Sequence, residues 1–315
     1  MASGPQPAKH MRIAIIDLGT NTFNLLVAER DAVGTLRVLH SEEAPVFLGK
    51  GGIEKGLIAT DAVERGLNAL ERFSATAKQL GAERITGFGT SALRNARNAP
   101  EFVSAAKERF GIDIQVIPGD EEAALILEGV RQAAHLTTKP MLVMDIGGGS
   151  IEFILATNKA LMWKRSFELG VTRLRERFPG ADPLSLEDQL RIGEHLDFHL
   201  EPLWAVMDRH WPTTLVGSAG SFDTLAAMVA GTERRSLSDE EITLPFTHIA
   251  FDALKDRLMG MDRAERLLVP GLPEHRVDTI PYALIAVERV LMRGITDLRW
   301  SRYALKEGTA ARLLG

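Results

Sequence analysis

At 315 residues the chain is long enough for two domains with sizeable buried cores, and 45% hydrophobic with 25% charged residues is ordinary for a globular protein. The absence of cysteine excludes a disulfide framework, a thiolate metal site and a cysteine nucleophile. No apolar run approaches the roughly 20 residues of a membrane helix, and a net charge of −5 gives no global attraction for a nucleic-acid polymer or an anionic membrane.

A cytoplasmic protein is therefore expected, and a polyanionic ligand would need local devices: backbone amides, helix N-termini, a few arginines and a divalent cation. The first ten residues, "MASGPQPAKH", carry no apolar core of a secretory signal and read as a tag or disordered segment. From Met11 onward, alternating apolar residues predict strands over 12–16, 22–29 and 35–41. Helical spacing follows over 59–80, with Thr60 as the N-cap candidate. A strand over 84–88, a helix near 99–110, a strand over 113–117 and a helix from Glu121 to Ala134 complete the first segment. This β-β-β-α-β-α-β-α order is that of the ribonuclease-H-like fold.

"LTTKP" (136–140) reads as a hinge, and beyond it the opening pattern returns as strands over 141–145, 151–156 and 160–167. A long helical stretch over 184–208, a strand over 213–216 and a helix over 219–230 follow. Residues 238–315 read mostly as helices, broken at "VPGLP" (269–273), with a short strand near 297–300. "GKGGIEKG" (49–56) is glycine-rich, but no Ser or Thr follows Lys50, so it reads as a loop rather than a nucleotide-binding P-loop. His195 and His199 stand at i, i+4 with no third ligand in view and read as part of a packed or solvated helix face.

"IIDLGTNTFNLLVA" (15–28) and "VMDIGGGSIEFILA" (143–156) align without a gap at an offset of 128 residues, placing Asp17 on Asp145, Gly19 on Gly147 and Thr22 on Ser150. "GTSALR" (89–94) falls on "GSAGSF" (217–222) at the same offset. Two motif pairs in one register point to an internal duplication. The expected architecture is α/β, with two duplicated ribonuclease-H-like domains facing across a cleft. Domain I is expected over 11–134 and domain II over 135–300, with a C-terminal helix near 301–315 packing back on domain I.

Strand-turn-strand loops of this composition suit phosphate. Glycine lets the backbone approach an oxygen closely and adopt positive φ, so that consecutive N–H groups converge as an anion nest. The candidates are Asp17, Gly19, Thr20, Asn21 and Thr22 in the first turn and Gly147, Gly148, Gly149 and Ser150 in the second. The helix starts after the paired strands add Ser91, Gly217, Ser218, Gly220 and Ser221. Thr20 and Asn21 stand where the second copy has Gly148 and Gly149, so the two extra glycines are expected to serve ligand approach rather than chain geometry.

These residues resemble the superfamily of actin, Hsp70 and the sugar kinases, and within it the exopolyphosphatase / guanosine pentaphosphate phosphohydrolase (Ppx/GppA) family. The resemblance is carried by "AIIDLGTNTFNLLVAE" (14–29), "GTSALRNARN" (89–98), "GDEEAALILEGV" (119–130), "VMDIGGGSIEF" (143–153), "ELGVTRLRERF" (168–178), "VGSAGSFDTLAA" (216–227) and "LKEGTAARLL" (305–314), in family order. It implies an actin-like ATPase fold and makes Glu122 the catalytic base that orients and deprotonates water for in-line attack on a terminal phosphoryl group. It also implies that Asp145 and Glu152 bind Mg²⁺, or Mn²⁺ in its place, that Asp17 assists through water, and that Arg94 contacts the transferred phosphate.

Taken without the resemblance, Glu121 and Glu122 read equally as first-turn helix acids, Asp17 and Asp145 as turn residues, and Arg94 as a surface charge. Three departures from the family pattern stand out. Ile151 replaces a Thr, which is expected to remove a hydroxyl from the cleft. Phe47 stands where relatives often carry Arg, and "ALKEG" (304–308) replaces "GLREG".

The chain shows no His-Asp dipeptide of the HD-type domain carried by longer members, and so resembles the short two-domain form, with a homodimer as the family habit. The resemblance implies metal-dependent hydrolysis of terminal phosphoanhydride bonds of inorganic polyphosphate, releasing orthophosphate. The close alternative is guanosine pentaphosphate (pppGpp) 5′-phosphohydrolase activity. A sugar-kinase-like phosphotransferase would need an Asp base on an acceptor hydroxyl, against which the "EEA" motif argues. An actin-like nucleotide-binding and assembly module would bind ATP and release no phosphate from polyphosphate.

Overall fold

The computed structural model describes residues 11–32 and 34–315; the expected tag lies outside them. Domain I is built on a five-stranded sheet of β1 (Ile13–Leu18), β2 (Thr22–Arg30), β3 (Leu36–Pro45), β4 (Arg84–Gly89) and β5 (Asp113–Val116), in the order β3-β2-β1-β4-β5. Its helices are α1 (Thr60–Gln79), α2 (Ser91–Asn95), α3 (Ala99–Phe110) and α4 (Gly119–Ala133). Side chains of β1 alternate between two cores, as a period of two requires. Ala14, Ile16 and Leu18 face α1 and α3, whereas Ile13 and Ile15 face α4.

Domain II repeats the plan with β6 (Met141–Ile146), β7 (Ile151–Ala156), β8 (Leu161–Phe167), α5 (Val171–Arg177), α6 (Leu186–His199), α7 (Glu201–His210), β9 (Thr214–Ser218) and α8 (Ala219–Thr232). The chain closes with β10 (Thr243–Phe246), α9 (His248–Met259), α10 (Arg263–Arg266), α11 (Ile280–Leu291), β11 (Asp297–Ser301) and α12 (Leu305–Leu314). Sheet order is β10-β11-β9-β6-β7-β8, so β11 takes the place of β5 and β10 adds an antiparallel edge. Every residue of β6 and β7 is buried, which explains their near-continuous apolar sequences: both faces are covered.

The duplication holds at the hairpins. Asp17 pairs with Asn24 across β1–β2 and Asp145 with Glu152 across β6–β7, each partner 128 residues on from its counterpart. It does not hold at the second motif pair. Gly89 faces Leu18, but Gly217 faces Met144 and not Ile146, so β9 has slid by two residues against β6.

A third core joins the halves. Ile13, Ile15 and Leu26 of sheet I, Ile126 and Val130 of α4, and Val143 and Ile154 of sheet II pack with Leu305 and Ala310 of α12. The α4–α12 crossing is tight because both helices present glycine. A Cβ on Gly129 would lie 1.9 Å from the Ala304 carbonyl oxygen, and one on Gly308 1.9 Å from that of Leu125.

Several local expectations differ. Ala59, extended and without a side-chain cap, is the N-cap of α1, and Thr60 is already helical. The stretch over 184–208 is two helices meeting at Leu200, because Pro202 has no N–H to continue the first and fits the opening turn of the second. The helix expected to open after Gly89 is the five-residue α2; α5 and β10 lie outside the expected elements, and Pro245 in β10 is compatible with an edge strand.

Candidate active site

The cleft between the halves is lined by the β1–β2 turn, the β6–β7 turn, the starts of α2 and α8, and Glu122 in the first turn of α4. It brings together Asp17, Gly19, Thr20, Asn21, Thr22, Ser91, Glu122, Asp145, Gly147, Gly148, Gly149, Ser150, Glu152, Gly220 and Ser221. Three sequence candidates do not line it. Arg94 lies behind Glu122, donating from Nη1 to Glu122 Oε2 at 2.8 Å and to the Ile117 carbonyl at 3.1 Å. Ser218 donates to Asp145 Oδ2 at 3.2 Å, so it orients a carboxylate rather than facing a ligand. Gly217 is a packing glycine: a Cβ there would meet the Phe222 ring at 1.9 Å.

The expected positive-φ nest is absent, since none of Gly19, Gly147, Gly148 and Gly149 has positive φ. The left-handed residue of the cleft is Ala219, at φ 61° on the slid end of β9. The extra glycines have another explanation. A Cβ on Gly148 would meet the Asn21 side chain at 2.7 Å, and one on Gly149 would meet Thr20 Oγ1 and Ser91 Oγ at 2.5 Å, all from domain I. From the other side, the carbonyls of Gly149, Gly147 and Gly148 accept from the amides of Gly170, Val171 and Thr172. Gly148 and Gly149 therefore let the turn sit against domain I, a matter of chain geometry.

Ligand-binding capacity remains. Among the described residues, the amides of Thr20, Asn21, Gly148 and Gly149 donate to no protein acceptor, and Thr20 Oγ1 is buried without a partner. Such orphaned donors call for an occupant.

Glu122, Asp145 and Glu152 are all buried. Burial and then the Glu122 charge push the Asp145 and Glu152 carboxyls well above the usual range, with Asp17 adding to the first and Asp145 to the second, against the hydroxyls of Ser218 and Ser166. Burial and Glu122 likewise push Asp17 up to about 7. Burial raises Glu122 too, in spite of the Arg94 guanidinium beside it. Acids held this close in a low-dielectric cleft are a destabilising arrangement that a bound cation relieves. Among the described residues, no three or more His, Asp or Glu side chains converge closely enough to hold a metal ion by themselves.

Sequence reasoning missed several cleft residues. Arg276, Arg302 and Glu43 come from segments without a motif, whereas Asp223 of "VGSAGSFDTLAA" and Lys306 of "ALKEG" lie in motifs but had no role assigned. Arg276 donates to Thr224 Oγ1 at 2.8 Å and to Glu43 Oε2 at 2.5 Å, linking the halves. Ile151 is wholly buried in the domain II core, so its side chain removes nothing from the cleft. Phe47 lies outside the cleft, with φ 52°. His195 and His199 stack 4.4 Å apart on α6, where His195 also meets Phe178.

Two ribonuclease-H-like halves close hydroxyl- and amide-bearing turns around buried acids, an arrangement suited to phosphate. The sequence profile of the Ppx/GppA phosphatase family matches residues 26–315, and the chain belongs to this family. It is 29% identical to Exopolyphosphatase 2 of Mycobacterium tuberculosis over 320 residues, covering 96% of this chain and 99% of that protein. The crystal structure of an exopolyphosphatase from Cytophaga hutchinsonii superposes with a TM-score of 0.94 at 36% identity, over 96% of this chain and 98% of that one. The Aquifex aeolicus Ppx/GppA enzyme shares the fold, with a TM-score of 0.79 at 24% identity over 96% and 99% of the two chains.

Proposed function

We propose that the chain is a metal-dependent exopolyphosphatase that hydrolyses the terminal phosphoanhydride bond of inorganic polyphosphate and releases orthophosphate. The observation that carries this reading is the placement of Glu122. It is a buried carboxylate of raised proton affinity, held by Arg94, facing a cleft whose two turns offer free amides and an unpartnered hydroxyl. Hydrolysing a phosphoanhydride asks little covalent chemistry of the protein; it asks for an oriented water and neutralised charge. Glu122 accepts the proton of the attacking water, and its raised proton affinity brings it nearer the range of an effective base. The turn amides, with Thr20, hold the terminal phosphoryl group in line.

Asp145 and Glu152 would hold Mg²⁺, which prefers one or two carboxylates completed by phosphate and water oxygens. When bound, the ion neutralises charge on the phosphate oxygens. Asp17 supports it through water.

The test is phosphate release with Mg²⁺ from polyphosphate, guanosine pentaphosphate and ATP, by the wild type and Glu122→Gln. Polyphosphate is expected to be turned over fastest, and the variant to lose about 10²–10⁴-fold, the usual worth of a general base. Release from guanosine pentaphosphate alone would replace the substrate assignment. An undiminished variant would remove Glu122 from the role of base.

A further inference from the structure

Glu168 lies on the short connection between β8 and α5, and its carboxylate is gripped by donors from both halves. Ser91 Oγ donates to Oε2 at 2.6 Å, Arg173 Nη2 to Oε2 at 2.9 Å, and Arg94 Nη2 to Oε1 at 3.2 Å. The Asn95 side chain donates to the Ser91 carbonyl at 2.8 Å, fixing the start of α2 beside them. One hydroxyl and two guanidinium groups converging on a single anion are the donors that recognise a phosphoryl group. Two of them, Ser91 and Arg94, also belong to the catalytic surroundings: Ser91 lines the cleft and Arg94 holds Glu122.

We infer that Ser91, Arg94 and Arg173 form a phosphate subsite beside the reacting centre, and that Glu168 fills it as an internal surrogate anion which phosphate must displace. The inference rests on the phosphatase reading of the cleft. The two guanidinium groups are mostly buried, at 18% and 13% exposed, whereas the Glu168 side chain is 42% exposed. Displacement therefore moves a carboxylate from an enclosed pairing into water and leaves no charge stranded.

The same contact is mechanically linked to the glycine turn. Arg173 Nε donates to the Gly149 carbonyl at 2.8 Å, and Gly170, two residues beyond Glu168, packs directly on Gly148 and Gly149. An anion that takes Arg173 from Glu168 acts next to the turn that follows Asp145.

The experiment is calorimetric titration of the full chain with orthophosphate. Glu168→Gln and Glu168→Ala are expected to bind it about tenfold more tightly or better, the scale of one charge-assisted contact no longer contested. Adding Arg173→Gln to either should abolish that gain. Unchanged or weaker binding by either single variant, with the wild-type melting temperature retained, would overturn the inference, as would a gain that survives loss of Arg173. Polyphosphate turnover is scored separately: a wild type that releases no phosphate from polyphosphate defeats the exopolyphosphatase reading, while the binding contrast is judged on its own.

Discussion

Asp145 and Glu152 stand opposite each other across β6 and β7, at the station where domain I sets Asp17 against Asn24. The duplicated scaffold thus carries a paired acid in one half and an acid with an amide in the other. Pairing two buried carboxylates is costly without a cation, and on the function proposed above this half is the one that would hold the metal. Glu152→Asn, which gives domain II the composition of domain I, should weaken Mn²⁺ binding by at least about a hundredfold, the upper end of what losing a supporting residue costs a metal site. Electron paramagnetic titration with Mn²⁺ reads this directly. Phosphate release should stop in EDTA and return with excess Mg²⁺; full activity in EDTA would remove the metal from the mechanism.

The glycine turn gives a second expectation. Gly149→Ala places a methyl group 2.5 Å from Thr20 Oγ1 and Ser91 Oγ, and Gly148→Ala one 2.7 Å from Asn21. These neighbours belong to the opposite half, so the substitution forces the halves apart rather than disturbing either core. Turnover should fall by about 10²-fold, as displacements near 1 Å do, while far-ultraviolet circular dichroism stays at the wild-type level. A variant with wild-type turnover would mean that the turn is not held against domain I during catalysis.

What the sequence made legible follows from how local each signal is. Hairpin composition, the offset of 128 residues and the "EEA" and "DIGGGS" motifs are short-range patterns, and they led to both sheets and to Glu122, Asp145 and Glu152. The two-residue slip of β9 was invisible because the motifs still align in sequence; only the ladder against β6 shows it. For the same reason Gly217 looked like a ligand glycine when its neighbour is the Phe222 ring. Glu43, Glu168, Arg173 and Arg276 act through partners more than 70 residues away or on the opposite half, a relation that no local pattern encodes.

The α4–α12 crossing is a stability element that the catalytic motifs do not predict. Gly308→Ala and Gly129→Ala each drive a methyl group to 1.9 Å from a backbone oxygen, which no rotamer can relieve. Overpacking of this kind costs about 1–3 kcal/mol or more, and a melting temperature lowered by roughly 2–5 °C is expected for a chain of this size. Because α12 closes the shared core, the loss should appear in one transition involving both halves. Differential scanning calorimetry decides it; a melting temperature within 1 °C of wild type would contradict the crossing.

His195 gives the chain an acid-sensitive element outside the cleft lining. Burial, and then the neighbouring His199, lower its pKa from 6.5 to about 4. The folded chain keeps this imidazole neutral until pH nears 4, whereas the unfolded chain protonates it near 6.5. Between those values the unfolded state binds more protons, so stability falls as pH falls, and above 6.5 the group has no effect. His195→Gln should remove that part of the acid sensitivity. The wild-type melting temperature should then fall relative to the variant's only as pH passes from 6.5 towards 4, with a constant difference above pH 7. A difference that changes above pH 7, or none that develops below 6.5, would show that His195 is not held neutral by its surroundings.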